Sequence, residues 1–254
     1  MDPYLERIGA ERPAKADGDA LRELQVRHLL TVPFENLSIH LREPIVLEHE
    51  ALVDKVVNRH RGGFCYELNG AFAALLWDVG YGVTLLAARV HGAGGLGPPF
   101  DHLALRVDTP EPWLVDVGFG RHAQHPLRLE QRGDQEDPDG VYEIREVEHG
   151  DLDVYRNGVP QYRLEQRPRV LRDCEATAWW HQTSPKSHFT QSTVCSLLTP
   201  TGRVTLSDRL LIVTDDDDRS EQTLADDADI LAAYRDRFGI VLDRVPEVLS
   251  PLPE

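Results

Sequence analysis

The stretch from Cys65 to Val79 places the strongest constraint on the fold. Its apolar residues recur at the spacing of one face of a helix; they are Leu68, Phe72, Leu75, Leu76 and Val79. Gly80 follows the last of them, and Gly62-Gly63 allows a tight turn just before the first. The pattern therefore predicts an amphipathic helix that begins at Cys65 and packs along one side against a core.

Two further helices are predicted upstream of this one. Asp17 or Asp19 can cap a helix that runs to about Leu30. Residues 48–61 carry an apolar stripe that should end at the glycine pair, a natural place for a helix to stop. The first third of the chain is therefore predicted to be helical.

The apolar period changes in the middle third. Short runs typical of strands are separated there by Gly, Pro, Asp and Asn; they span residues 83–90, 103–107, 113–117, 141–147, 152–156 and 162–165. Strands in series with this turn spacing favour an antiparallel sheet or a small barrel.

The last third contains both the helical and the strand spacing of apolar residues. Helices are predicted near residues 175–182 and 225–238, with strands around Val204 and over residues 210–213. The acidic run at residues 215–218 is most simply a solvated turn. Helices, then a sheet, then a mixed segment predict an α+β fold.

Charge and composition exclude several classes of function. The chain has 27 Lys and Arg against 43 Asp and Glu, a formal net charge of −16, which argues against a nucleic-acid partner. No apolar run is long enough for a membrane span, and the polar start lacks a signal-peptide core, so a cytoplasmic protein without a membrane partner is expected. Three scattered cysteines predict neither a disulfide framework nor a metal site.

Cys65 is the first candidate for chemistry. At the first turn of a helix, free N–H groups and the helix dipole favour a thiolate, so a lowered pKa and a nucleophilic role are expected. The alternative is a buried small hydrophobic residue, which describes most single cysteines. Cys174 and Cys195 lack such a setting and are expected to be structural.

A thiolate nucleophile needs a base and a group that orients the base. His102 opens an alternating strand after a glycine-rich loop, and Asp116 lies among apolar residues of another strand, where a carboxylate needs a partner. Neighbouring antiparallel strands could bring the two side chains together. For His102 taken alone, a structural histidine is the favoured interpretation, whereas a buried acid such as Asp116 favours function.

The ordered motifs resemble those of the arylamine N-acetyltransferase family. They are RGGFCYELNG at residues 61–70, VPFENL at 32–37, DHLALRV at 101–107, WLVDVGFG at 113–120, SPKSHF at 184–189 and TLSDRLL at 205–211. The resemblance covers nearly the whole chain. It implies a cysteine-protease-like α+β fold with a helical bundle at residues 1–82, a central antiparallel β-barrel at 83–190 and a C-terminal α/β lid at 191–254.

The resemblance also assigns residues to the site. It implies a catalytic triad of Cys65, His102 and Asp116, and a pocket for acceptor and cofactor lined by Phe34, Phe119 and Phe189. Three aromatic rings would form an apolar slot for an aryl amine, although each could also be plain core packing. Glu35 and Arg61 resemble an ion pair beside the nucleophile that serves as scaffold.

Two positions depart from the family pattern. Asp101 stands where many members have a hydroxyl residue; since it precedes His102 on a strand, its side chain is expected to point away from the triad, into solvent. Arg121 stands where a small residue is common, and a surface position is favoured over contact with a coenzyme A phosphate. In so acidic a chain, an anionic cofactor needs local donors; the candidates are the backbone N–H groups of Gly118 and Gly120, with Lys186 or Arg121.

The implied activity is transfer of the acetyl group of acetyl-CoA to an arylamine or hydrazine through an acyl-cysteine intermediate. Three alternatives stay open: an amide synthase that releases an ansamycin-type polyketide, a thiol hydrolase, and a noncatalytic acyl- or CoA-binding module. A monomer or weak homo-oligomer without a metal is expected.

Overall fold

The computed structural model describes residues 1–216 and 218–248 and has an α+β fold. Its helices are α1 (Asp2–Arg7), α2 (Gly18–Thr31), α3 (Leu37–Leu41), α4 (His49–Val57), α5 (Cys65–Asp78), α6 (Glu175–Thr183) and α7 (Asp227–Phe238). Its strands are β1 (Phe34–Glu35), β2 (Gly82–Gly92), β3 (Gly95–Leu96), β4 (His102–Asp108), β5 (Pro112–Val115), β6 (Leu127–Arg128), β7 (Gln135–Asp137), β8 (Gly140–Glu146), β9 (Leu152–Arg156), β10 (Val159–Arg169), β11 (Val194–Thr199), β12 (Gly202–Ser207), β13 (Leu210–Asp215) and β14 (Asp218–Thr223).

The predicted helices are present, with one difference in length. The carboxylate of Asp17 accepts a hydrogen bond from the Ala20 N–H and caps α2, while α5 begins at Cys65 as the apolar spacing indicates. Helix α4 ends at Val57, before the glycine pair. Between Val57 and the glycine pair, His60 adopts a left-handed conformation with φ of 52°, which a continuous right-handed helix would not allow.

Nine strands form one antiparallel sheet in the order β6-β5-β4-β2-β10-β9-β8-β7, with β3 paired to β2. One face of this sheet wraps a separate apolar core; its members include Leu86, Leu114, Tyr142, Ile144, Val154 and Tyr162. The two end strands, β6 and β7, are joined by hydrogen bonds from one side chain and not by backbone pairing. The Gln135 amide accepts from the Arg128 N–H at 2.7 Å and donates to the Arg128 carbonyl at 3.1 Å. The sheet is therefore a nearly closed barrel.

A second antiparallel sheet has the order β1-β11-β12-β13-β14. Its first strand comes from the N-terminal third of the chain, since Phe34 pairs with Ser196 and Glu35 with Cys195. Side chains alternate across the sheet. Cys195, Val204 and Leu206 face the core that includes α7, whereas the opposite face carries Ser196 and Thr205. The expected turn at residues 215–218 joins β13 to β14; Asp217 lies outside the described residues.

Helix α5 lies at the centre of the largest core. Leu68, Phe72, Leu75 and Leu76 on its apolar face are fully buried, and the core draws in residues from α2, α4, β4 and the segment around α6. Within the described part of the chain, none of the helices combines the length and the hydrophobicity that crossing a membrane would require.

The turn before α5 has no room for a side chain at Gly62. A Cβ there would lie 1.8 Å from the Pro33 carbonyl oxygen, which is backbone and cannot move alone. Gly62→Ala should therefore lower the free energy of unfolding by about 3 kcal/mol or more, as measured by urea denaturation. Gly94→Ala is the matched control because its Cβ would meet nothing within 4 Å. Equal stabilities of the two variants would contradict this packing argument.

Candidate active site

A buried set of charged side chains holds the turn that leads into α5. The Arg61 guanidinium lies 2.9 Å from Glu35 Oε1 and 2.9 Å from Glu43 Oε2. Glu35 also accepts a hydrogen bond from the Leu37 N–H at 2.6 Å. Burial would raise the pKa of Glu35, but the charges of Arg61 and Lys55 outweigh it and lower the pKa. The Glu35–Arg61 pair expected from sequence is present and fixes the backbone beside Cys65.

A second buried pair lies on the other side of the turn. Lys55 Nζ is 2.6 Å from Glu67 Oε1, and Glu67 Oε2 accepts from the Phe64 N–H at 3.2 Å, which satisfies one of the unpaired amides at the start of α5. The Glu35 N–H donates to the Gly63 carbonyl, so β1 also runs along this turn. The first residue of α5 is thus held from both sides.

Cys65 is 3% exposed, and its Sγ lies 3.9 Å from the backbone oxygen of Asp101, the residue before β4. Burial raises the pKa of the thiol, and the backbone amide of Leu103 opposes this only in part. The expected lowering of the pKa by the helix start is therefore not found, because desolvation of the sulfur dominates. The thiol needs a proton acceptor nearby in order to ionise.

His102 and Asp116 form a tight buried pair. His102 opens β4 as expected, whereas Asp116 lies one residue beyond the end of β5 and not inside a strand. His102 Nε2 lies 2.7 Å from Asp116 Oδ2. Burial would raise the pKa of Asp116, but the His102 charge and the hydrogen bonds from His102 and Asn69 lower it to about 2. Asp116 is therefore a carboxylate, and Nδ1 is the ring nitrogen of His102 that is left to exchange a proton.

Asn69 is a site residue that the sequence analysis missed. It lies one turn after Cys65 on α5, and its Nδ2 donates to Asp116 Oδ1 at 3.0 Å and to the Leu103 carbonyl at 2.6 Å. Its Oδ1 accepts from the Val117 N–H at 3.0 Å. The i, i+4 spacing from Cys65 placed both on one helix face and could have found it. Asn69 connects the helix to β4 and to the loop after β5.

The expectation that Asp101 is solvated is wrong. The residue is 8% exposed, and its Oδ1 accepts from the Val90 N–H at 2.9 Å. Gly97 packs so closely that a Cβ there would lie 1.7 Å from Asp101 Oδ2. Strand alternation failed here because Asp101 lies in the turn before β4, where the end of β2 and the glycine-rich loop cover it.

One cavity of about 430 Å³ joins most of these groups. Its lining includes Cys65, Asp101, His102 and Gly118 and the three phenylalanines selected from sequence, Phe34, Phe119 and Phe189. The rings of Phe34 and Phe189 lie 6.2 Å apart, and Phe119 packs edge-on to His102 at 5.1 Å. The structure thus brings a thiol, an imidazole and an apolar wall to one small space, within the usual volume range of ligand pockets.

The loop after β5 supplies fewer donors than expected. The Gly118 N–H donates to Asp116 Oδ1 at 2.9 Å, so this amide is already engaged. Gly120 has φ of +88°, and a Cβ there would lie 3.5 Å from the Phe34 ring. Arg121 has a side chain that is 63% exposed and pairs with Asp139, so the residue lies at the surface.

Comparison with known proteins identifies the family. A family model described as N-acetyltransferase matches residues 17–247. The arylamine N-acetyltransferase of Mycolicibacterium smegmatis is 33% identical over 97% of this chain and 97% of its own. The chain belongs to the arylamine N-acetyltransferase family.

Solved structures of arylamine N-acetyltransferases have the same fold. The Mycobacterium marinum arylamine N-acetyltransferase in complex with CoA is 32% identical, with a TM-score of 0.86 over 94% of this chain and 92% of that chain. The Salmonella typhimurium arylamine N-acetyltransferase is 29% identical, with a TM-score of 0.87 over 98% of this chain and 94% of that chain.

Metal ligands do not gather in the described part of this arylamine N-acetyltransferase family member. Residues 1–216 and 218–248 contain no group of three or more His, Cys, Asp or Glu side chains that could hold an ion.

Asp101→Asn is predicted to change the reactivity of Cys65 only at pH values at which Asp101 is ionised in the wild-type protein. Burial raises the pKa of Asp101 to about 6, although the Val90 N–H opposes the rise. The side chain is therefore mostly neutral at about pH 5 and negative at about pH 8, and its negative charge raises the pKa of the thiol. Iodoacetamide should alkylate the variant several-fold faster than the wild type at the higher pH and equally fast at the lower one.

The alkylation rate of the Cys65 peptide, followed by mass spectrometry, measures this difference. Asp108→Asn is the control, because that carboxylate lies at the far end of β4 and pairs with Arg106 at the surface. A rate ratio between the Asp101 variant and the wild type that is the same at both pH values would show that its charge does not reach the sulfur.

Proposed function

We propose that the protein transfers the acetyl group of acetyl-CoA to the nitrogen of an arylamine or hydrazine through an acetyl-Cys65 intermediate. The observation that carries this proposal is the cavity that Cys65 and His102 line together with Phe34, Phe119 and Phe189. Family membership and the M. marinum relative in complex with CoA support acetyl-CoA as the donor.

In the first half-reaction, the Cys65 thiol passes its proton to His102. Burial raises the pKa of the thiol, so the thiolate depends on the imidazolium that Asp116 stabilises. Sγ then attacks the thioester carbonyl carbon, the bond to the CoA sulfur breaks, and His102 returns the proton to the departing CoA thiolate. Cys65 is left acetylated.

In the second half-reaction, the acceptor enters from the same cavity. Its nitrogen attacks the acetyl carbonyl carbon, His102 removes a proton from that nitrogen, and the bond to Sγ breaks. The proton then returns to Cys65, which restores the starting state. The aromatic wall would bind the ring of the acceptor by apolar contact.

The arrangement of a thiol on a helix facing a His–Asp pair on a sheet is cysteine-protease-like, which we include in the proposal. The five-stranded sheet with α7 would act as the lid, since Val194 and Ser207 of that sheet line the cavity. A volume of about 430 Å³ favours a small aryl acceptor over the long chain of a polyketide.

Cys65→Ala should abolish both acetylation of the protein and formation of N-acetylated arylamine. The measurement is the mass of the protein after mixing with acetyl-CoA, with one added acetyl group expected on the wild-type Cys65 peptide. Cys174→Ala is the control, because Cys174 is a second fully buried cysteine. N-acetylated product from the Cys65 variant would refute the proposal, whereas release of acetate at full rate without an arylamine would indicate a hydrolase.

Asp116→Asn should lower kcat/KM for acetyl transfer by about 10²-fold or more, because the amide no longer stabilises the His102 imidazolium. The Asn69 and Gly118 donors that now meet Oδ1 can still find an amide oxygen at that place. Circular dichroism and unfolding curves check that the fold is kept. A variant with unchanged kcat/KM would exclude this role of Asp116.

A further inference from the structure

Three arginines, from the loop after β5, from β9 and from β12, lie near Asp139 and together define an arginine cluster: Arg121, Arg156 and Arg203. Arg121 Nε lies 2.9 Å from Asp139 Oδ1, and Arg156 Nε lies 2.7 Å from Asp139 Oδ2. The single negative charge of Asp139 therefore offsets only part of the positive charge of the three arginines. A local surplus of positive charge is unexpected in a chain with a net charge of −16.

Among residues 1–216 and 218–248, Arg203 is the member of the cluster for which no ion pair is found. It is partly buried, and its Nη1 donates to Ser196 Oγ at 3.1 Å. No carboxylate of the described residues lies within ion-pair distance of its guanidinium, although such a pair is found for both other members. Burial lowers the pKa of Arg203; Asp139 opposes this, and the charges of Arg121 and Arg156 add to it. Even a partly buried cation loses hydration, and a ligand that brings negative charge would offset this loss.

Sheet register places this guanidinium on the side of the sheet that faces the cavity. Val194 and Ser207 are paired and line the cavity. Ser196 and Thr205 follow on the same face, where their hydroxyls lie 2.8 Å apart, and Arg203 comes next. Because side chains on one face repeat every second residue, a continuous path leads along the sheet from the cavity to Arg203.

The other side of the path comes from the loop after β5. Phe34 pairs with Ser196 across the sheet, and Gly120 lies against the Phe34 ring. Arg121 follows Gly120 directly, which carries the chain from Phe119 in the cavity wall to the arginine cluster. The sheet face and the loop that line the cavity therefore both lead toward the arginine cluster.

The length of this path matches an acyl-CoA donor. Ser207 and Arg203 are four residues apart on one strand, or about 13 Å. The arm between the sulfur of CoA and its diphosphate contains roughly thirteen bonds and, at about 3.4 Å for every three bonds, extends to about 15 Å. A donor with its thioester at Cys65 and its arm along the sheet would carry its phosphates to the arginine cluster.

We propose that the arginine cluster binds the phosphate end of the acyl-CoA donor, with Arg203 as the principal contact and Arg121 as a second, more exposed one. The inference rests on the proposed function for the identity of the donor. Guanidinium groups suit phosphate because their N–H groups bind its oxygens in pairs. Arg203 has further N–H groups besides the one that meets Ser196.

The test compares a donor that has phosphates with one that lacks them. Arg203→Gln should raise KM for acetyl-CoA about tenfold or more and leave kcat/KM for S-acetyl-N-acetylcysteamine, a phosphate-free thioester, unchanged. Arg121→Gln should act in the same direction with a smaller effect. The Arg121 variant is expected to fold normally, because the Arg121 side chain is mostly exposed, so it tests the proposal even if the Arg203 variant misfolds. The control is Arg106→Gln, which removes an equal charge from the surface at the far end of β4.

Direct binding keeps this inference separate from the proposed activity. Titration calorimetry with CoA should give a weaker Kd for the Arg203 and Arg121 variants, a difference that shrinks as salt is raised. Inorganic phosphate should compete with CoA for the wild-type protein and less well for the Arg203 variant. If the wild type failed to become acetylated, the proposed function would fall while the Kd comparison could still be made.

Two results would overturn the phosphate assignment. The first is a Kd for CoA that is the same in the Arg203 variant as in the wild type. This result would count against the assignment even if the variant bound inorganic phosphate more weakly than the wild type does. The second is an equal loss of kcat/KM with both donors, which would make Arg203 a structural residue that acts through the sheet.

Discussion

The carboxylate of Asp116 is the interaction on which the site depends. It accepts hydrogen bonds from His102 Nε2, Asn69 Nδ2 and the Gly118 N–H, so one buried anion connects β4, α5 and the loop after β5. Because α5 begins at Cys65, the turn spacing from Cys65 to Asn69 fixes where the thiol lies relative to the imidazole. Removal of the anion would leave three buried donors unpaired, which is costly in a low dielectric.

A layer of buried ion pairs supports this arrangement from behind. Arg61 meets Glu35, and Lys55 meets Glu67, on the two sides of the turn before α5. Such pairs contribute little net stability compared with apolar packing, but losing one partner costs about 3–5 kcal/mol because it strands a buried charge. We therefore regard these pairs as fixing the geometry of the turn. Arg203 differs from these residues because no carboxylate pairs with it in the described part of the chain, which is why we propose that it binds the phosphates of the donor.

Sequence patterns predicted the elements with strong periodicity and missed those that depend on pairing. Helix α5 and strand β9 were predicted with almost the observed bounds because their apolar residues repeat with a clear period. Strand β14 was missed: every one of its described residues is exposed, and it is a strand only because its backbone pairs with β13. Strand β1 is two residues long and pairs with β11, which lies 160 residues further along the chain, a distance that local patterns do not register.

The sequence by itself determined the α+β class, the helix that starts at Cys65, and the residue types that meet in the site. Only the tertiary structure decided their environments. It buried Asp101 and Cys65, which reversed the expected solvation of one and the expected pKa direction of the other. It also brought Arg121, Arg156 and Arg203 together from three separate segments. Periodicity records which face of an element is apolar, whereas solvation and charge at a point depend on what other segments pack there.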